Sequence, residues 1–334
     1  MERCSRCCFI CTGLVSDNDL NANCCSARAT DRNRASPLVL TALAAALISG
    51  CSIQQLVIDK VGDTLARGGE AYAADADLEL VGIATPFGLK LMESLIAESP
   101  RHRGLLSAAA RGFTQYAYAY VEIPAEEIEE RDLAAAYTAR GRARKLYLRA
   151  RDYGLRALEV SHPGFTERLG RDPEGALAAV RAEDVPSLHW TAVAWGAAIS
   201  LGKDDTALLS GLAPMRLMAR RALELDDSYD SGAIHVFHIS LAMTEPRPDE
   251  ERLAQAHAHF ERAVELSGGL QAAPFVTYAE AVSVPSARRN EFDRMLERAL
   301  RVDPASAPAS RLANELYQRR ARWLSAHIEQ LFSN

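Results

Sequence analysis

The chain has no cysteine where a folded domain would use one. All seven cysteines fall at the front of its 334 residues, at Cys4, Cys7, Cys8, Cys11, Cys24, Cys25 and Cys51. Everything after Cys51 therefore has no structural disulfide and no thiolate nucleophile, a composition that suits an oxidising compartment without depending on it. Strand signals are scarce as well: β-branched alternating runs are few, and no Asn-Gly or Asp-Gly hairpin turn occurs, which argues against a sheet. Catalytic signatures are missing too. There is no GxSxG elbow and no dinucleotide glycine pattern, and Gly202-Lys203 runs into Asp204 instead of a phosphate-loop Ser or Thr. An enzyme on a helical scaffold would have to work without any of them. Charge of one sign is not concentrated along the sequence either. With 38 basic and 44 acidic residues interleaved, the chain lacks the clustered positive run that tracks phosphates, which speaks against nucleic acid as a partner.

What is present begins at Arg32. Arg32 and Arg34 supply positive charge, Pro37 to Ile48 form an apolar run, and Ser49-Gly50-Cys51 follow. A basic start, about a dozen apolar residues and a small-residue exit make a secretory signal, too short to span a bilayer. The ending Leu47-Ile48-Ser49-Gly50-Cys51 resembles the bacterial lipobox, in which the cysteine is acylated and becomes the new N-terminus. The expectation is a signal peptide over 32–50 and a lipid on Cys51 that holds the protein to the periplasmic face of a membrane. Ser52 stands where an inner-membrane retention signal would carry aspartate, which favours the outer membrane. The alternative is a buried apolar helix that happens to end in Gly-Cys. Residues 1–31 fit neither part. Cys4-x-x-Cys7 and Cys8-x-x-Cys11 have zinc-knuckle spacing, while the plainer reading is an over-extended gene start, with translation beginning at a non-Met codon such as Val15 or Leu20.

After Cys51 the good helix formers Ala, Leu, Arg and Glu dominate. Apolar residues recur at helical spacing, as in Leu80, Ile83, Phe87, Leu91 and Leu95. Pro and Gly mark the breaks at Pro100, Pro163-Gly164, Pro186, Gly268-Gly269 and Pro304. A phrase repeats there, of a small residue, an apolar one, a charged one, an apolar one and a capping residue. It reads Ala157 to Ser161, Ala222 to Asp226, Ala263 to Ser267 and Ala299 to Asp303, with a looser copy at Leu95 to Pro100. The period lies close to the ~34 residues of a tetratricopeptide unit. The expectation is an all-α fold of degenerate tetratricopeptide-like helical hairpins in a curved or bundled solenoid over 76–334, preceded by a linker or first helix over 51–75. An ordinary helical bundle with similar helix endings is the alternative.

One stretch is more specific than periodicity. Pro86, Phe87, Leu89, Lys90, Leu91, Met92 and Glu93 lead into Glu98-Ser99-Pro100, then Gly112, Phe113, Thr114, Gln115, Tyr116, Ala117, Tyr118 and Ala119. This resembles the T component associated with TRAP transporters (the TatT family), periplasmic lipoproteins with degenerate tetratricopeptide repeats. The likeness is strong in the first quarter of the mature chain and looser from His189 through Gly196 to the C-terminus. It implies an accessory subunit and not a catalyst, without a cofactor. It also implies a homo-oligomer, a trimer with a central cavity, that binds the solute-binding subunit and hands it a hydrophobic or carboxylate ligand. A general tetratricopeptide scaffold lipoprotein for envelope assembly is the rival reading.

Candidate contacts follow from residue chemistry. Gln115, Tyr116, Tyr118 and Tyr120 form an aromatic-polar cluster in which Tyr116 and Tyr120 share a helix face and Tyr118 points nearly opposite. They line a ligand channel or pack between repeats. Trp190 and Trp195 stand in a small-residue helix with Gly196, where large rings fill gaps or meet a ligand. Lys203 follows Gly202 and suits an acidic ligand. Phe275 and Tyr278 precede Arg288 and Arg289, combining aromatic surface with guanidinium forks. His235, His238, His257 and His259 raise the question of a metal, but the two-residue spacing puts His257 and His259 on different helix faces, and no metal is expected.

Overall fold

The computed structural model describes residues 60–65 and 68–333, which belong to one compact unit, Cys51–Asn334. Cys51, the apolar run of 32–50 and the cysteine-rich 1–31 lie outside the described residues. Every regular element among the described residues is helical, as the scarcity of strand signals predicts.

Ten long or broken helices carry the fold, packed pairwise. In chain order the elements are α1 (Gly69–Ala73), α2 (Leu78–Glu98), α3 (Arg103–Ala117), α4 (Ile123–Ile128), α5 (Leu133–Ser161), α6 (Phe165–Arg171), α7 (Pro173–Ala178), α8 (Val185–Ser200), α9 (Thr206–Leu209), α10 (Leu212–Leu225), α11 (Tyr229–Ala242), α12 (Asp249–Leu266), α13 (Ala273–Tyr278), α14 (Arg289–Arg301), α15 (Arg311–Ala326) and α16 (Ile328–Leu331). Their starts are set by side chains that accept otherwise orphaned backbone N–H groups. Asp77 accepts from Leu80, His102 from Leu105, Asp132 from Ala135, Asp172 from Gly175 and Asp205 from Ala207 and Leu208. Gly268 and Gly269 both take positive φ after α12, the turn for which their sequence position calls.

The pairs stack in two layers. Helices α3, α8, α11, α13 and α15 pack on one another in succession, whereas α2, α5, α10, α12 and α14 scarcely meet and lie outside them. Each outer helix ends at a copy of the repeated phrase, and the alanines of the four close copies, Ala157, Ala222, Ala263 and Ala299, are essentially inaccessible. A methyl at that position lets the outer helix sit directly on its inner partner. The apolar stripe of α3 shows how much the contact is worth. Leu105, Leu106 and Phe113 are buried there, and each such side chain contributes roughly 1.5–3 kcal/mol.

Helices α5 and α8 approach closely at Gly154. Gly154 faces the Thr191 hydroxyl, and a Cβ there would overlap it; Thr191 is fully buried. Gly154→Ala is expected to cost about 2 kcal/mol by forcing these helices apart. A urea midpoint equal to that of the parent protein would show that the contact is not tight.

The last inner helix returns to the first pair. Helix α15 packs against α1 and α2. It also reaches α4 through Arg319–Glu127 at 3.3 Å and through Arg320–Glu126, partners nearly two hundred residues apart. The inner layer therefore closes on itself through charged side chains.

Candidate functional site

Two π-helical turns build that closure. Tyr118–Glu122 continues α3 and Ala279–Ser283 continues α13. A π turn adds a residue to a helical turn and re-aims the side chains that follow, a device frequent at functional sites. The first turn presents Tyr118 and Glu122, and the second presents Glu280. Both meet α15, which supplies Tyr317 and Arg320. The Arg320 guanidinium donates Nε to Glu280 Oε1 at 2.9 Å and Nη2 to the same oxygen at 2.6 Å, and Nη2 also reaches Glu126. Trp323 lies under the guanidinium at 4.6 Å, and Tyr118 stands 6.2 Å from Tyr317, ring to ring. Behind them the Tyr147 hydroxyl donates to Glu122.

Burial sets the protonation of this seam. It raises the Glu280 carboxyl, against the attraction of Arg320. It lifts Glu122 to about 7, although the Tyr147 bond and nearby guanidinium groups pull the other way, and it holds the Tyr317 phenol at about 12. For Arg320 burial acts against the charge but Glu280 and Glu126 outweigh it, so the guanidinium stays ionised. Acidic groups outnumber the cation here, and the site suits a shared proton better than a bound anion. Among the described atoms, Arg320 Nη1 has no hydrogen-bond partner.

A second cluster lies farther along the inner layer. The Arg111 guanidinium of α3 is 5.7 Å above the Trp190 ring of α8. The Trp190 indole N–H donates to the Tyr229 hydroxyl at 3.3 Å, and Arg111 stands 3.8 Å from Asp230. The chain enters α11 through Asp230, Ser231 and Gly232, all in the left-handed region. For Asp230 and Ser231 this conformation costs roughly 1 kcal/mol each, and it points Tyr229 and Asp230 at α8 and α3. Next to them His189 is buried and neutral, its pKa carried down to about 3 by desolvation and by the neighbouring His238 and Arg111. The Arg111 side chain itself is 39% exposed, so a ligand can reach it.

The residues singled out from the sequence divide between these places and the core. Gln115 is exposed on α3. Tyr116 and Tyr120 do share a face, with rings 5.6 Å apart, and Arg142 covers Tyr116. Tyr118, set aside as the odd member, enters the closing seam instead. Trp190 belongs to the Arg111 cluster. Trp195 fills the space left by Gly211 and carries Arg151 on its ring. Lys203 sits in the exposed turn after α8. The aromatic surface expected at Phe275 and Tyr278 is corrected: both are buried with Phe260 in the C-terminal core. Arg298, not Arg288, covers Phe275 at 4.5 Å, and Arg288 pairs with Glu291 at 3.7 Å. His235 and His259 meet through Nδ1 atoms 2.9 Å apart with His238 stacked beside them, while His257 faces elsewhere. Among the described residues no group of three His, Cys, Asp or Glu is arranged to hold a metal.

Comparison with known proteins places this architecture. An uncharacterised protein of Treponema pallidum (strain Nichols) is 34% identical over 304 residues, covering 86% of this chain and 94% of its own length. Residues 74–332, both charge clusters included, match the TRAP transporter T-component family, and the chain belongs to that family.

Proposed function

We propose that the chain is a lipid-anchored accessory subunit of a TRAP-type uptake system, docking the solute-binding subunit on the periplasmic face of a bacterial membrane, the outer membrane in preference. In this reading it is a scaffold and not a catalyst. Its helical hairpins are degenerate tetratricopeptide-like units, and it works as a homo-oligomer, a trimer by family resemblance. The lipobox-like ending at Cys51 supports the anchor. The observation that carries the reading is the Arg111–Trp190 pair. An accessible guanidinium beside an indole face on the inner layer of a transporter-family protein fits a ligand with a carboxylate head and an apolar body. Gln115 extends the same helix face from Arg111 at i+4.

Co-purification from envelope extracts tests the partner. The acylated chain is expected to recover a TRAP-type solute-binding subunit, and recovery of envelope-assembly proteins alone would favour a general scaffold. For the ligand, a medium-chain fatty acid is expected to change Trp190 fluorescence in the parent protein. Arg111→Ala is expected to weaken that response about tenfold. An unchanged titration would take the ligand away from this pair.

A further inference from the structure

The outer layer carries two unusual faces side by side. On α2, Ile83 and Phe87 are 73% and 75% exposed, and Leu91 continues the stripe one turn on. They lie on the side of α2 opposite Leu89 and Ile96, the residues buried against α3. A terminal helical pair in a repeat stack ordinarily shows a polar outer face, and this one does not. On α5, Arg142, Lys145 and Arg156 are exposed at spacings of three, seven and fourteen residues, which put them with Arg149 on one helix face. Arg149 reaches Glu93 of α2 at 3.5 Å, so the apolar and basic faces adjoin. Asp152 shares this face and pairs with Arg151, so four cations outnumber one exposed carboxylate there, on a chain whose net charge is −6.

We propose that this α2–α5 face is a membrane-docking surface for anionic phospholipid headgroups. An apolar stripe bordered by Lys and Arg is the arrangement that settles at a bilayer interface, where rings enter the acyl boundary and cations meet phosphates. The chain's own course points the same way. Gly62 lies against His102 and Leu105, at the α2–α3 turn where Arg156 also donates to the Pro100 carbonyl. An extended chain from Lys60 back to Cys51 spans at most about 30 Å. A lipid at Cys51 would keep this end of the molecule, and the α2–α5 face beside it, within reach of the headgroups. A two-fold contact through this face would set two basic faces against each other, and a head-to-tail contact of the proposed trimer is the outcome that the oligomer measurement below separates. The orientation rests on the anchor reading, while the lipid affinity does not.

The test uses residues 51–334, the compact unit, with Cys51→Ser to remove acylation. Its binding to phosphatidylglycerol-containing vesicles is compared with binding to pure phosphatidylcholine. Anionic vesicles are expected to bind at least about tenfold more tightly, with the advantage lost in Lys145→Glu/Arg156→Glu. Ile83→Glu/Phe87→Glu is expected to reduce binding to both vesicle types, with an unchanged melting temperature. Equal binding to the two vesicle types, or full binding by either variant, overturns the proposal. So does loss of an oligomer in Ile83→Glu/Phe87→Glu without vesicle binding by the parent, which would assign the face to a second copy. Vesicle binding by a chain whose wild type is never acylated in cells would leave the docking surface standing and remove the anchor.

Discussion

Arg320→Met is expected to destabilise the protein by about 3–5 kcal/mol, the cost of removing one partner from a buried charge cluster. Arg320 is 7% exposed and holds Glu280 and Glu126 at once. Without it two partly exposed carboxylates, Glu126 and Glu280, face each other with no cation between them. Methionine fills most of the volume and keeps a contact on Trp323, so the loss reports charge and not a cavity. The cost is expected to shrink in acid, where Glu280, already raised by burial, takes up a proton and needs no partner. Urea unfolding at about pH 8 and about pH 5 measures both. Arg320→Lys separates charge from geometry: a single ammonium cannot donate to both carboxylates in the same fork, so lysine is expected to rescue less than half. Because the cluster closes α15 onto α4, amide exchange over 311–326 is expected to accelerate in Arg320→Met well before the rest of the domain. A uniform change across all helices would show that the closure is not a separate latch.

The helices and their ends were legible in the sequence for a reason that does not extend to the closure. Each outer helix must end, turn and lay a small residue on its partner, so Ala157, Ala222, Ala263 and Ala299 recur with the same neighbours, and the repeated phrase marks an outer helix each time. The missed residues, Glu122, Glu126, Tyr147, Glu280, Tyr317 and Arg320, obey no local period. Their signal is the acidic run after Pro124 and the Arg319-Arg320 pair, complementary in sign but nearly two hundred residues apart and joined only where α15 meets α4. Tyr118 points away from Tyr116 and Tyr120, as a plain helix predicts, but only the fold shows that the side it points to is the seam with Tyr317. Phe275 and Tyr278 failed in the opposite sense. Their aromatic character and the arginines that follow suggested a surface, yet the same character suits a core, and Phe260 at 4.8 Å from the Tyr278 ring decided between the two.

Glu122→Gln is expected to stabilise the protein by about 3 kcal/mol above neutrality and to do nothing in acid. The sign follows from which state holds the proton. Burial carries the Glu122 carboxyl from 4.5 to about 7 in the folded protein. Below 4.5 both the folded and unfolded chains are protonated at this position, and stability is unaffected. Between 4.5 and 7 the unfolded chain releases its proton while the folded chain keeps it, so stability falls as pH rises. Above 7 the folded carboxyl is ionised against its environment and the full penalty, about 3 kcal/mol, is present. Glutamine keeps an oxygen for the Tyr147 hydroxyl and carries no charge, so its curve lacks that descent. Buried neutral His189 pulls the other way, stabilising the fold as pH rises from about 3 through 6.5. The parent protein therefore shows two opposed slopes, of which Glu122→Gln removes one. Chemical denaturation of both proteins at steps from about pH 4 to about pH 8 separates them. Parallel curves would mean that Glu122 is ionised throughout, and that the proton in the seam resides on Glu280 instead.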